Sequence, residues 1–183
     1  KEPRPAAMRL ARYFGTYHYG TESSVACRKG SLLAEQLVFG CEYAGGGCGP
    51  KTKSFMVMAT NGAWSKPHGW WNMISAAKQR GVNIIVIDAR RTKVAELATI
   101  HLQPKQGTDA ALGAGICRVL FEEGLFNKPF CDKWVYGVEE YRNYCKDFTP
   151  EKTEAITGVP ADLIVKAARM YAEGPGSFAL TSQ

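Results

Sequence analysis

Two short runs of apolar and mostly β-favouring residues constrain this chain most: 54–60 (SFMVMAT) and 82–87 (VNIIVI). Neither alternates apolar with polar residues, as a strand with one wet face would, and strands covered on both faces read this way. Between them, 61–66 turns the chain and 69–80 reads as a helix ended by Gly81. Strand, helix, strand in that order is a parallel pair with a helical crossover. The pattern continues with a short helix at 92–98, a third strand near 99–103 and a helix over 108–124, where Leu112, Ile116, Val119 and Leu120 share a face. Pro129 and Pro150 suit first helical turns, so short helices are expected at 129–135 and 150–156. Leu163, Ile164, Ala167, Ala168 and Tyr171 form one stripe of a helix over 160–173; Gly174-Pro175-Gly176 stops it, and 177–180 reads as another strand. The expected fold class is α/β, a three-layer αβα Rossmann-like domain with a mostly parallel sheet over 54–183. Residues 1–53 read as a lead-in: a helix end at 6–14, a loop at 15–26, a helix over 27–39 with Leu32, Leu33, Gln36 and Leu37 at helical spacing, and a glycine-rich connection at 40–50.

Composition narrows the classes. With 183 residues, 45% of them hydrophobic, the chain is large enough for a core of its own. The net charge of +6 is spread along the sequence, and no DNA or RNA recognition motif accompanies it, so a nucleic-acid partner is not expected. No apolar run reaches membrane-spanning length, so direct membrane insertion is not expected. The start, Lys1-Glu2-Pro3-Arg4-Pro5, does not read as a secretory signal, which leaves the compartment, cytoplasm or periplasm, open. Six cysteines, at 27, 41, 48, 117, 131 and 145, include no C-x-x-C pair. Structural zinc is therefore not expected, and most of these thiols read as small buried hydrophobes.

In an open parallel sheet the ligand lies beyond the carboxyl ends of the strands. Three loops fall there: Thr60, Asn61, Gly62, Ala63, Trp64, Ser65 and Lys66; then Asp88, Ala89, Arg90, Arg91 and Thr92; then Gln106, Gly107, Thr108 and Asp109. The first and third precede helices, whose first amides favour phosphate. Asp88 can accept hydrogen bonds from ribose hydroxyls or a guanine edge, and Lys66, Arg90 and Arg91 can balance a diphosphate. The combination describes a dinucleotide-like ligand. Plainer roles remain open: Asp88 or Thr108 as a helix cap, and Arg90 and Arg91 as solvated surface. A nicotinamide-linked dehydrogenase domain is the first rival, but it needs G-x-G-x-x-G after the first strand, where this chain has Asn61-Gly62-Ala63-Trp64-Ser65. A non-catalytic scaffold of the same fold is the second.

These residues also resemble a known family. The run 77–115 (AKQRGVNIIVIDARRTKVAELATIHLQPKQGTDAALGAG) is similar to the second-pterin segment of the dimethyl sulfoxide reductase family, the bis-(molybdopterin guanine dinucleotide) oxidoreductases. That family shows Ala-Lys-x-x-Gly, an apolar strand, Asp-Pro-Arg, Thr-Ala-x-x-Ala-Asp and Pro-Gly-Thr-Asp-x-Ala-Leu. Residues 61–67 resemble its Asn-Pro-Ala-x-x-His-Pro loop, and 149–172 its Tyr-Thr-Pro-Glu…Thr-Gly-Val helical segment. Departures are Gly62 for proline, Lys66 for histidine, Ala89 for proline, Thr99 for aspartate and Gln106 for a common proline. The resemblance implies an interior piece of a catalytic subunit with molybdenum or tungsten, in which loops 60–66, 88–92 and 107–109 cradle one guanine dinucleotide. It places Cys27 at the family's metal-ligand position, where a thiolate is a suitable soft donor. Arg28, where formate dehydrogenases of the family usually have histidine, counts against formate as substrate. It further implies two-electron redox or oxygen- or sulfur-atom transfer, a 4Fe-4S cluster elsewhere in the parent protein, and partners comprising the remaining domains of that subunit and an iron–sulfur electron-transfer subunit.

Overall fold

The computed structural model describes residues 3–17, 29–41, 48–174 and 177–181. The chain divides into two compact units, Lys1–Gly45 and Gly46–Ser182. In the first, the described elements are α1 (Pro3–Phe14) and α2 (Lys29–Phe39). Leu33 and Leu37, part of the apolar spacing on α2, are exposed, as are Leu10 and Tyr13 on α1.

The second unit carries a four-stranded sheet in the order β3-β2-β1-β4, all pairs parallel. Its strands are β1 (Ser54–Met58), β2 (Asn83–Ile87), β3 (Ile100–Leu102) and β4 (Ser177–Thr181). The sequence explains their burial on both faces, because consecutive residues point to opposite sides and both sets are apolar. Phe55, Val57, Ile84 and Val86 pack with Ile74 and Ala77 of α4 (Asn72–Gln79) and Val94 of α5 (Lys93–Glu96). Met56, Ile85, Ile87, Ile100 and Leu102 face the other way, onto Leu112, Ile116 and Val119 of α6 (Asp109–Glu122) and Ile164, Ala167 and Ala168 of α10 (Ala161–Ala172). Each fully buried side chain of this size contributes about 1.5–3 kcal/mol. The result is a three-layer αβα domain of Rossmann type.

Between α6 and α10 the chain makes α7 (Lys128–Trp134), α8 (Val138–Cys145) and α9 (Pro150–Thr157). Asn127 and Thr149 cap α7 and α9 by accepting the Phe130 and Lys152 amides, and Pro129 and Pro150 occupy their first turns as expected. The α8 helix was not expected. Gly115 on α6 touches α9 so closely that a Cβ there would lie 2.5 Å from Thr153 Oγ1.

Several sequence expectations need correction. The segment 61–66 is wound into a single helical turn, α3 (Gly62–Ser65). The helix expected at 69–80 begins with a π-helical turn, Pro67–Trp71, before α4. Among the described cysteines only Cys145 is fully buried; Cys48, Cys117 and Cys131 are half-buried and Cys41 is exposed. Most of the loop at 15–26 and of the glycine-rich connection at 40–50, Cys27 at the start of the second helix, and Pro175-Gly176 lie outside the described residues. Among the described residues, no helix is long and apolar enough to cross a membrane.

Candidate functional site

Because every strand runs the same way, the carboxyl ends of β1, β2 and β3 share one rim, and the loops that leave them are stitched together there. The Ala59 amide donates to the Ile87 carbonyl (2.8 Å), and the Asp88 amide to the Leu102 carbonyl (3.1 Å). The chain leaves β1 through Ala59, whose φ of 49° is a conformation that non-glycine residues rarely adopt. Thr60 is buried, and the Asn61 carbonyl accepts from the Trp64 and Ser65 amides and the Ser65 hydroxyl, which closes the turn of α3. Gly62 is buried under the π-helical turn: a Cβ there would lie 3.1 Å from Trp70 Cβ and 3.2 Å from Trp71 N. A proline here, as the resembled family usually has, would need Trp70 or Trp71 to give by a few tenths of an ångström. Ala63 is half-buried, whereas Trp64, Ser65 and Lys66 are exposed. The Lys66 ammonium rests 3.9 Å above the Trp70 ring. At four residues, α3 is too short to offer the helix dipole assumed for this loop.

The loop after β2 is internally satisfied. Asp88 Oδ1 accepts the Arg90 amide at 2.8 Å, with Arg90 Nε at 4.0 Å. The Asp88 carbonyl accepts from His101 Nε2 (2.9 Å), and since a carbonyl only accepts, that nitrogen carries the proton. Gln103 Nε2 donates to the Ala89 carbonyl at 3.4 Å. The capping alternative for Asp88 is replaced by a cap at Thr92, whose hydroxyl accepts the Ala95 amide and starts α5. Arg90 and Arg91 are exposed, as solvated side chains would be.

The third loop brings Gly107, at φ 79°, to Thr108 and Asp109. Thr108 stands at the N-cap of α6, but its hydroxyl donates to the Lys105 carbonyl (2.6 Å) and caps nothing. The first backbone bond of α6 runs from the Leu112 amide to the Thr108 carbonyl, so the amides ahead of it point outward, as at any helix start. Asp109 lies in that first turn and is exposed. A cleft of about 440 Å³ joins this loop to the first: Met56, Met58 and Ala59 form one wall, and Asp109, Leu112, Ile116 and Cys117 another. It opens beside β1, where the strand order turns back toward β4, the position at which such sheets hold ligands. Burial pushes the Cys117 thiol above its ordinary range, and a hydrogen bond with Tyr141 partly offsets this.

Thr60, Asn61, Asp88, Ala89 and Thr108 thus fall on one rim, with Arg90, Arg91 and Lys66 as exposed cations at its edge. Two observations bear on whether a polar, phosphate-bearing cofactor suits these residues. Thr60 Oγ1 and Asn61 Oδ1 are buried side-chain oxygens with no hydrogen-bond partner among the described residues, and buried polar atoms in native proteins are rarely left that way. The Asp88 carboxylate keeps its second oxygen for another donor. The residues fit such a group. His101 and Gln103 brace the second loop and carried no sequence signal beyond their alternation, His101 on the short edge strand β3 and Gln103 just past its end. Trp70, under Lys66, gave no signal beyond its proximity. The metal-ligand expectation at Cys27 cannot be placed on this geometry, because Cys27 lies outside the described residues.

Fold and rim together define a doubly wound α/β domain with its candidate ligand site at the strand-order switch point. Comparison with known proteins narrows that class. Acetylene hydratase of Syntrophotalea acetylenica is 44% identical over 114 residues, which is 60% of this chain and 16% of that protein. Formate dehydrogenase H of Escherichia coli (strain K12) is 42% identical over 102 residues (56% and 14%), and dimethyl sulfoxide/trimethylamine N-oxide reductase of Rhodobacter capsulatus 35% over 116 (59% and 14%). The solved structure of acetylene hydratase from Pelobacter acetylenicus matches with a TM-score of 0.64 and 36% identity, over 73% of this chain and 18% of that one. No family model matches. The chain belongs to the dimethyl sulfoxide reductase family of molybdopterin oxidoreductases, and it spans about a sixth of the length of the curated relatives it matches.

Proposed function

We propose that this rim holds the guanine dinucleotide end of a molybdopterin cofactor and that the chain serves a molybdenum- or tungsten-dependent enzyme. The observation that carries this reading is the pair of buried, unpartnered oxygens on Thr60 and Asn61, set beside the pre-positioned Asp88 carboxylate. In it, Asp88 accepts from the guanine edge or the ribose hydroxyls. Thr60 donates its hydroxyl proton, and Asn61 Oδ1 accepts. The outward amides at the start of α6, with Gly107 and Thr108, face the diphosphate, and Lys66, Arg90 and Arg91 balance its charge. Ala63, Ser65, Ala89 and Thr92 shape the two loops through their backbones, and Asp109 lines the adjoining cleft. When bound, the cofactor would supply two-electron redox chemistry or atom transfer at its metal, with Cys27 the residue we assign as protein ligand on the family resemblance. The remaining domains of a larger catalytic subunit, a 4Fe-4S cluster and an iron–sulfur partner complete the proposal. The names of the relatives span a hydratase, a dehydrogenase and a reductase, so the proposal names no substrate.

The test is GDP binding to the full chain, followed through backbone amide NMR shifts. Shifts are expected at Asn61, Asp88 and Thr108. Asp88→Ala should weaken binding by about ten- to a hundredfold, the range for a hydrogen bond to a charged group. NAD shifting the same amides more tightly than GDP would instead establish the nicotinamide rival, and no rim shift with either nucleotide would leave the scaffold reading.

A further inference from the structure

Lys66 occupies an unusual position. Its backbone is fixed on both sides: its amide donates to the Gly62 carbonyl at 3.1 Å, and its carbonyl accepts the Gly69 and Trp71 amides at 3.1 and 3.3 Å. Only its side chain is free to move, and it is exposed. Among the described residues no carboxylate lies in ion-pair range of its ammonium, which instead rests 3.9 Å over the ring of Trp70. Trp70 is itself anchored, half-buried against the floor of the β1 loop where Gly62 lets it approach. Lysine and aromatic ring thus stand in the same loop as the two unpartnered oxygens, the lysine one helical turn beyond Asn61.

We infer that Lys66 is a switching cation, parked on the Trp70 face until a diphosphate reaches the rim and then transferred to its oxygens. This deepens the dinucleotide reading and rests on it. The physical case is a difference in strength. A lysine over an aromatic ring at an exposed site is worth only a few-fold in an equilibrium. A charge-assisted contact to a phosphate oxygen is stronger, so a diphosphate within reach of the flexible stem takes the ammonium from the ring. Parking holds the cation at the loop without committing it to a carboxylate. By linkage, whatever holds Lys66 on Trp70 opposes ligand binding by the same factor.

That last point gives the test its sign. GDP is titrated into the full chain, with affinity taken from rim amide shifts and the latch followed through the Trp70 indole and Lys66 side-chain signals. Both latch signals should move as GDP saturates the rim. Lys66→Gln should weaken binding about five- to tenfold. Trp70→Leu should tighten it by about two- to fivefold, with Trp70→Phe between it and the native chain. A thermal melt of each variant verifies that it is folded, and Trp70→Phe retains an aromatic in the packing should Trp70→Leu fail to fold. Rim amides that shift while Trp70 and Lys66 stay still, or folded Trp70 variants that bind no more tightly than the native chain, would overturn the switch and leave the dinucleotide site standing. No rim shift at any residue would remove both.

Discussion

The loops that leave β1 and β2 lie side by side at one rim and are built in opposite ways. After β2, the polar groups of Asp88 and its neighbours are matched within the protein apart from one Asp88 carboxylate oxygen: Arg90, His101, Gln103 and Leu102 each hold part of Asp88 or Ala89, and Thr92 caps the helix that follows. After β1, the chain passes through a strained Ala59 and leaves Thr60 Oγ1 and Asn61 Oδ1 unmatched. The loop after β2 presents a carboxylate whose position is set before any ligand arrives. The loop after β1 stores strain and unmet hydrogen bonds that a ligand can relieve. A rim of this kind divides the work: one side provides geometry and the other provides driving force.

Three changes would break or sharpen that contrast. The largest effect is expected at Gly62, where Gly62→Ala brings a Cβ to 3.1 Å from Trp70 Cβ and 3.2 Å from Trp71 N, so that these neighbours must shift by a few tenths of an ångström. A loss of about 1–3 kcal/mol in urea unfolding is expected, while Ala89→Gly in the exposed part of the other loop should change stability by no more than about 0.5 kcal/mol. Equal losses would mean that the two loops are packed alike. Next, Thr60→Val removes an unmatched hydroxyl at nearly constant shape. It should raise the stability of the ligand-free chain by about 1 kcal/mol while weakening GDP binding. A fall in stability would show that the hydroxyl has a partner after all.

The smallest effect is a control far from the rim. The Arg169 guanidinium, bonded to both Glu123 oxygens, holds that carboxyl below the usual carboxylate range. A lowered folded-state pKa stabilises the protein above the ordinary value and is lost as pH falls through the lowered one. Stability should therefore decline on acidification below about pH 4.5, and Glu123→Gln should flatten that decline in a urea series. A decline unchanged in Glu123→Gln would move its source to another carboxylate, with Glu151, held below its ordinary range by hydrogen bonds to the backbone and to Thr149, the first to examine.

Much of this was legible in the sequence because burial on both faces leaves a simple mark. The uninterrupted runs at 54–60 and 82–87 could be little else, and the stripe Leu163, Ile164, Ala167, Ala168 and Tyr171 named its helix directly. Asp88 was legible as the end of such a run. What stayed hidden depended on tertiary packing. The α8 helix has a mixed surface of Glu139, Glu140, Tyr141, Arg142 and Asn143, and tertiary contacts fix it to the fold: Cys145 is fully buried, and Tyr141 meets the Phe121 ring edge-on and hydrogen-bonds Cys117. The π-helical turn exists because Trp70 and Trp71 close over Gly62, a contact no local pattern encodes. Thr108 has the right residue type and position for a cap, yet the Lys105 carbonyl captures its hydroxyl.

The sheet order has a consequence for how this molecule must assemble. β1, β2 and β3 are joined by short crossovers and can pair early, but β4 reaches β1 only after the long helical excursion from 103 to 176. Until that excursion has packed, one side of β1 is an open row of amides and carbonyls able to recruit any extended chain nearby. Such late, non-local closure slows folding and widens the interval for misassembly. Yield on refolding should therefore depend more on α6 and α10 than on the strands themselves.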